Sequence, residues 1–178
     1  MILLLIPEGS YVEYKTVVRT VGFLPDEIRG ISREIGGKFE YRDGKVEGSL
    51  EIPILSFRSG NSSRDRDVAK ILKYKEYPKI RVRVLEVKKE DAEGALKGKV
   101  NRAKLRVEIF AAGRAKAYET IAQFSKVGED KIKVRLNVNA KFTDFGIEPP
   151  SLGVFIKRAP DELELSGEIT FRIEKKGG

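Results

Sequence analysis

The chain has 178 residues, 35 Lys plus Arg against 27 Asp plus Glu for a formal net charge of +8, and a hydrophobic content of 40%. That length builds one sizeable core, so a single domain over residues 1–178 is expected, and the composition is globular. With no Cys and no His, thiol and Ser-His-Asp catalysis, disulfides, Cys/His zinc sites and haem ligation by those residues are excluded; carboxylate, lysine, tyrosine or arginine chemistry survives, as does a function without chemistry.

Residues 1–6 are an apolar run stopped by Pro7, without a basic n-region and too short for a secretory core, so they read as a first strand or an ordered end. The expectation is a cytoplasmic chain, or a periplasmic one if the N-terminus was processed or trimmed. Strands are expected over residues 11–18, 38–41 and 46–57, with a weak helix over 25–31 and a turn at Arg42-Asp43-Gly44. Val68, Ile71 and Leu72 share one helical face, which predicts a short helix over residues 68–74, capped by Asp67 and ended by Tyr77-Pro78.

Period-two alternation takes over beyond that helix. Ile80, Val82 and Val84 alternate with Lys79, Arg81 and Arg83, and Leu105, Val107 and Ile109 with Lys104, Arg106 and Glu108. Between them a turn at residues 89–91, a strand over 92–100 and a turn at Asn101-Arg102 are expected, and a further strand over 117–124 follows. After a turn at Gly128-Glu129-Asp130, the even positions Ile132, Val134, Leu136, Val138, Ala140 and Phe142 are apolar or small and the odd ones polar. This is a strand with one wet and one dry face. Leu163, Leu165, Ile169, Phe171 and Ile173 form the last strand, with Gly167 on the same face.

About eight strands joined by short turns predict an all-β fold, a single antiparallel up-and-down barrel with one short helix. The connection between Phe145 and Glu162 breaks the rhythm and carries Leu152, Val154, Phe155 and Ile156, which either plug the barrel end or move as a lid. The predicted interior is formed by Ile52, Ile54, Ile80, Val82, Val84, Leu105, Val107, Ile109, Ile132, Val134, Leu136, Val138 and Phe142. Such a wall binds only something apolar, or else it is simply a filled core.

Arg64-Asp65-Arg66-Asp67 is the densest polar cluster: either Arg64 or Arg66 pairs with an anionic head group at the rim, or the four residues hold their own loop by mutual ion pairs. Two carboxylates at Asp65 and Asp67 are too few for a metal site, and no cofactor is expected. The stripes Lys79, Arg81, Arg83 and Lys131, Lys133, Arg135 lie on the outer wall, where they allow transient contact with an anionic membrane surface. They lack the interleaved aromatics of a nucleic-acid track, so no specific nucleic acid is expected. Abundant Lys, Arg and Glu beside the missing Cys, His and Trp suggest heat adaptation.

Two segments resemble the YceI-like proteins. The first runs Ser59-Gly60-Asn61, Arg64-Asp65-Arg66-Asp67-Val68, Ile71-Leu72 and Tyr77-Pro78-Lys79-Ile80; the second is Phe142-Thr143-Asp144-Phe145-Gly146-Ile147-Glu148-Pro149-Pro150-Ser151-Leu152 followed by Asp161-Glu162-Leu163-Glu164-Leu165. The resemblance implies a lipocalin-like barrel holding a long apolar ligand, in some members a polyisoprenoid. Many relatives are exported and carry His where this chain has Asp67. The function expected is therefore non-catalytic lipid binding or carriage, with Leu152 and Phe155 at the rim or lid. A ligand-free packed structural or stress-response module and a basic nucleic-acid-binding barrel are the alternatives.

Overall fold

A computed structural model describes residues 1–18, 26–148 and 161–175. Nine strands make one antiparallel sheet: β1 (Ile2–Val18), β2 (Asp26–Ser32), β3 (Gly36–Arg42), β4 (Lys45–Pro53), β5 (Lys79–Val87), β6 (Arg102–Ala111), β7 (Arg114–Lys126), β8 (Lys131–Ala140) and β9 (Leu163–Glu174). Eight of them close into a ring, because β3 to β9 pair in succession and β9 returns to β1. The closing seam runs from Ile2 opposite Glu174 to Lys15 opposite Glu164, broken by a bulge between Ile6 and Tyr11. At that bulge β1 changes its other neighbour: its first residues pair with β3, and from Val12 onward it pairs with β2, the ninth strand.

The alternation read from the sequence sets the register. Over β8, Ile132, Val138 and Ala140 are buried while Arg135, Asn137 and Asn139 are exposed, and all ten residues pair with β9. A one-residue slip would turn every apolar side chain outward, so the register is strongly specified.

The connections divide the barrel into two ends. At one lie α1 (Ser62–Ile71) between β4 and β5 and the 3-10 turn Phe142–Phe145 after β8; at the other lie α2 (Lys89–Leu96) between β5 and β6, the start of β1 and the end of β9. Four expectations are corrected here. Helix α1 starts six residues earlier than predicted, because the Asn61 side chain accepts from the Arg64 amide at 3.0 Å and serves as the cap; Asp67 is an exposed mid-helix residue instead. The turn expected over residues 89–91 and most of the strand expected over 92–100 are helix α2, which gives way to a turn after Leu96; Ala92 and Ala95 share its buried face and Glu90 and Asp91 suit the positive N-terminal end. The weak helix over 25–31 is, from Asp26 on, strand β2, with Ile28, Gly30 and Ser32 turned inward beside β1. Strand β4 stops at Pro53, which has no amide proton for the ladder, so Ile54 falls in a 3-10 turn rather than on a strand.

Ionisable groups frame a pH prediction. Burial pushes the Tyr14 phenol up to about 12, and burial followed by an acidic neighbour raises Tyr41 (beside Glu93) and Tyr118 (beside Asp144). A raised acid stabilises the fold below its ordinary value, about 10 for Tyr, and the contribution is lost as pH climbs through the folded value. The Glu164 carboxyl is held low by hydrogen bonds from Asn137 and Lys15, so its contribution is present above the ordinary carboxylate value and lost as pH falls through the folded one. With no His to titrate between these limits, thermal unfolding midpoints are expected to be flat from about pH 5 to 9 and to fall beyond about 10. A midpoint moving by many degrees between pH 6 and 8 would contradict this.

Candidate functional site

The barrel is not filled. A cavity of about 280 Å3 runs through it, touching Val68 and Ile71 of α1 and Leu72 just after it at one end and Ala92, Ala95 and Leu96 of α2 at the other. That is near the lower end of the range for small-molecule sites, roughly 300–1,000 Å3. All the predicted interior residues line it except Ile54, which is 3% exposed but packs outside the cavity wall. A second sign of open space lies in the inward positions Val12, Ile80, Val82, Val84, Val134, Leu136 and Leu165. They face the cavity yet remain only partly buried, which side chains in a close-packed interior would not be.

Other wall residues were not singled out from the sequence. Tyr14 on β1 and Phe39 and Tyr41 on β3 alternate with polar neighbours, so a period-two signal was present there, whereas Leu3 lies in an unbroken apolar run that gives none. The contribution of α2 had no such signal, because its segment was read as a strand. Phe39 meets Phe171 edge to face at 5.7 Å, bracing the wall between β3 and β9.

Apart from Tyr41, whose hydroxyl donates to Glu93 at 3.2 Å at the α2 end, the polar side chains of the wall gather toward the α1 end. There Tyr14 and Thr16 on the second half of β1 and Arg64 and Asp67 on α1 stand at the wall. Thr16 donates to the Glu162 carbonyl at 2.9 Å. Asp65 is taken up by the loop before the helix, accepting from the Ser59 amide at 3.0 Å and its hydroxyl at 2.6 Å. Arg66 is exposed and does not reach the cavity, so of the two predicted rim arginines only Arg64 is placed there. Leu152 and Phe155 lie outside the described residues.

The outer cations form an ion-pair ladder. Lys79 and Arg81 meet Glu51 at 3.2 and 3.8 Å, Arg83 meets Glu108 at 2.9 Å, and Lys133 and Arg135 meet Glu168 at 3.9 and 3.0 Å. Exposed pairs of this kind contribute little each, about 0–1 kcal/mol, and the three carboxylates Glu51, Glu108 and Glu168 offset only part of the charge of the two stripes.

The motif after β8 is structural in its geometry. Tyr118 Oη donates to Asp144 Oδ2 at 2.7 Å, and the same oxygen accepts from the Lys141 amide at 3.1 Å. Thr143 donates through its hydroxyl and amide to Asp161, at 2.5 and 3.2 Å. Gly146 turns left-handed at φ 70°, and a Cβ there would sit 2.7 Å from the Arg114 Nε. The Thr-Asp-Phe-Gly run thus locks the end of β8 to β7 and to the start of β9, burying Phe142 and Phe145 against the cavity.

Residues 5–174 match the model of the YceI-like domain. Among solved structures, the fold is similar to a polyisoprenoid binding domain from Saccharophagus degradans implicated in plant cell wall breakdown, at a TM-score of 0.75 and 13% identity over 97% of this chain and 98% of that one. It is also similar to BcnA of Burkholderia cenocepacia, at 0.68 and 14% over 93% and 98%, and to the YCEI protein of Campylobacter jejuni, at 0.67 and 19% over 88% and 94%. No curated protein sequence matches the chain significantly.

Proposed function

Because the chain belongs to the YceI-like family, we propose that it binds and carries a long-chain apolar lipid, a polyisoprenoid in particular, inside the barrel and without catalysis. The observation that carries this reading is the end-to-end cavity whose wall is almost wholly apolar. Water in such a space has almost no partners, and an apolar chain displaces it favourably, at about 25 cal/mol per Å2 of apolar surface buried. The likeness to a polyisoprenoid binding domain supports the ligand class.

The alternative of a packed, ligand-free module is disfavoured by the same cavity. On the outer wall the ion pairs to Glu51, Glu108 and Glu168 reduce the charge those stripes would offer to an anionic membrane or nucleic acid.

Native mass spectrometry of the purified protein is expected to show an added mass that organic extraction removes, with a chain lipid recovered in the extract. A protein that runs at its bare mass, yields no lipid and fails to take up farnesyl compounds in titration would overturn the proposal.

A further inference from the structure

Four large apolar side chains stand in the open among the described residues, and two of them, Ile121 and Val127, each 49% exposed, share one row on the outside of the barrel. The alternation of β7 fixes this. Ala122 is fully buried and Phe124 lines the cavity, so Ile121, Gln123 and Ser125 face out, and Val127 continues their row where the strand gives way to the turn. None of these four side chains is charged, and the strand rise sets the two aliphatic ends roughly 20 Å apart. Single exposed aliphatics are ordinary; what distinguishes this pair is what lies on either side of it.

Cations flank the row on both neighbouring strands. On β6, Lys104 is opposite Ile121 and Arg102 is opposite Gln123. On β8, Arg135 is opposite Gln123 and Lys133 opposite Ser125, while the Lys131 carbonyl accepts from the Val127 amide at 2.8 Å. Against these five cations stand two carboxylates: Glu119, 3.2 Å from Lys104, and Glu168, which Lys133 and Arg135 share, so three positive charges are left over. Arg102 and Lys131 make no ion pair within 4.0 Å among the described residues. The turn beyond Val127 adds Glu129 and Asp130, but Lys126 and Arg172 flank it, and the surplus stands. On β5, by contrast, Lys79, Arg81 and Arg83 meet Glu51 and Glu108, which leaves a surplus of one.

Aliphatic side chains set between rows of lysine and arginine match the boundary of an anionic bilayer, where acyl chains lie just beneath the phosphates. A nucleic acid would instead call for exposed aromatics on which bases stack, and this row has none. We propose that the outer face of β6, β7 and β8 docks on an anionic membrane surface, with Ile121 and Val127 entering the interface and the five flanking cations meeting lipid phosphates. This goes beyond the carrier reading and does not require the cavity to be filled.

The whole protein, sedimented with phosphatidylcholine–phosphatidylglycerol vesicles, is expected to bind where pure phosphatidylcholine vesicles do not, and to lose about tenfold or more in affinity as salt rises from about 0.05 to 0.5 M. Arg102→Gln combined with Lys131→Gln should weaken binding about thirtyfold, since each cation close to the surface contributes roughly fivefold. Lys79→Gln combined with Arg83→Gln removes the same charge from β5 and should change it by less than about threefold. The chain has no Trp, so Ile121→Trp places a single indole on the row, and its emission should shift to the blue on the anionic vesicles. Leu55→Trp, on the 3-10 turn after β4 and three strands away round the barrel, should show no such shift. Equal losses from the two charge-removing pairs, equal binding to neutral and anionic vesicles, or an unshifted emission from Ile121→Trp overturns the inference. Tighter binding of duplex DNA than of anionic vesicles at the same salt also overturns it and reassigns the face to nucleic acid. Lipid in the organic extract without vesicle docking would end this inference and leave the carrier reading standing; docking by a protein that holds and takes up no lipid would do the reverse.

Discussion

Val134→Phe is expected to weaken binding of a farnesyl ligand by on the order of a hundredfold while changing the stability of the empty protein by less than about 1 kcal/mol. Val134 points inward from β8 and lines the cavity without being fully buried, so a benzyl group there enters space that nothing in the fold occupies. It displaces roughly four methylenes' worth of ligand, at about 0.8 kcal/mol each, which gives the hundredfold figure. Were the barrel solid, the same ring would overpack it and cost about 1–3 kcal/mol with no binding to lose. Val107 is the contrasting position: at 1% exposure it belongs to the sealed part of the wall, and enlarging it tests packing rather than the cavity. Calorimetric titration and chemical denaturation of the Val134 variant together decide the matter. Unimpaired binding would sink the interior site.

The second large effect is on the fold. Gly48 sits in β4 opposite Phe39 at φ 118°, and a Cβ there would lie 2.1 Å from the Lys38 carbonyl oxygen and 3.0 Å from the Phe39 Cα. Both obstacles are backbone, which cannot rotate aside. Gly48→Ala thus combines an unfavourable left-handed conformation with a break in the β3–β4 ladder, and is expected to cost about 3–5 kcal/mol. For a chain of this size that is a fall in the melting temperature of roughly 6–20 °C. A loss below about 1 kcal/mol would show that the strands can shift apart at little cost.

Gly48 also shows where sequence reading stops. Alternating residues such as Ile132 through Val138 declare which face of a strand is dry, because burial on one face leaves a period-two trace. A glycine required by an approaching carbonyl leaves none, since the constraint comes from the neighbouring strand. The same division runs through the site. The inward faces of β5, β6 and β8 were legible, whereas the end under α1 was not, because it depends on α1 folding over the barrel so that Arg64 and Asp67 line the same cavity as Tyr14 on β1. Helix α1 itself was half-read: the face Val68, Ile71, Leu72 was visible, but the cap was assigned to Asp67 because an aspartate before an apolar run is a common start, and Asn61 won by its hydrogen bond. Helix α2 was misread because Ala92, Ala95 and Leu96 make too short an apolar stripe to outweigh the surrounding strand rhythm.

The seam between β1 and β9 bears on how the molecule comes into being. Ile2 to Lys15 find their partners among residues Glu164 to Glu174, so the ring cannot shut until nearly the whole chain exists. At ribosomal rates of about 5–20 residues per second, the first strand waits roughly ten to thirty seconds with one edge unsatisfied. Closing so long a loop adds only modestly to its entropy cost, but contacts this distant in sequence make folding slow. Through that interval the leading strand, with Leu3, Leu4, Leu5 and Ile6 in succession, is an open template for another nascent chain. The strand that completes the container is made last, and until it arrives the greatest hazard to the protein is a second copy of itself.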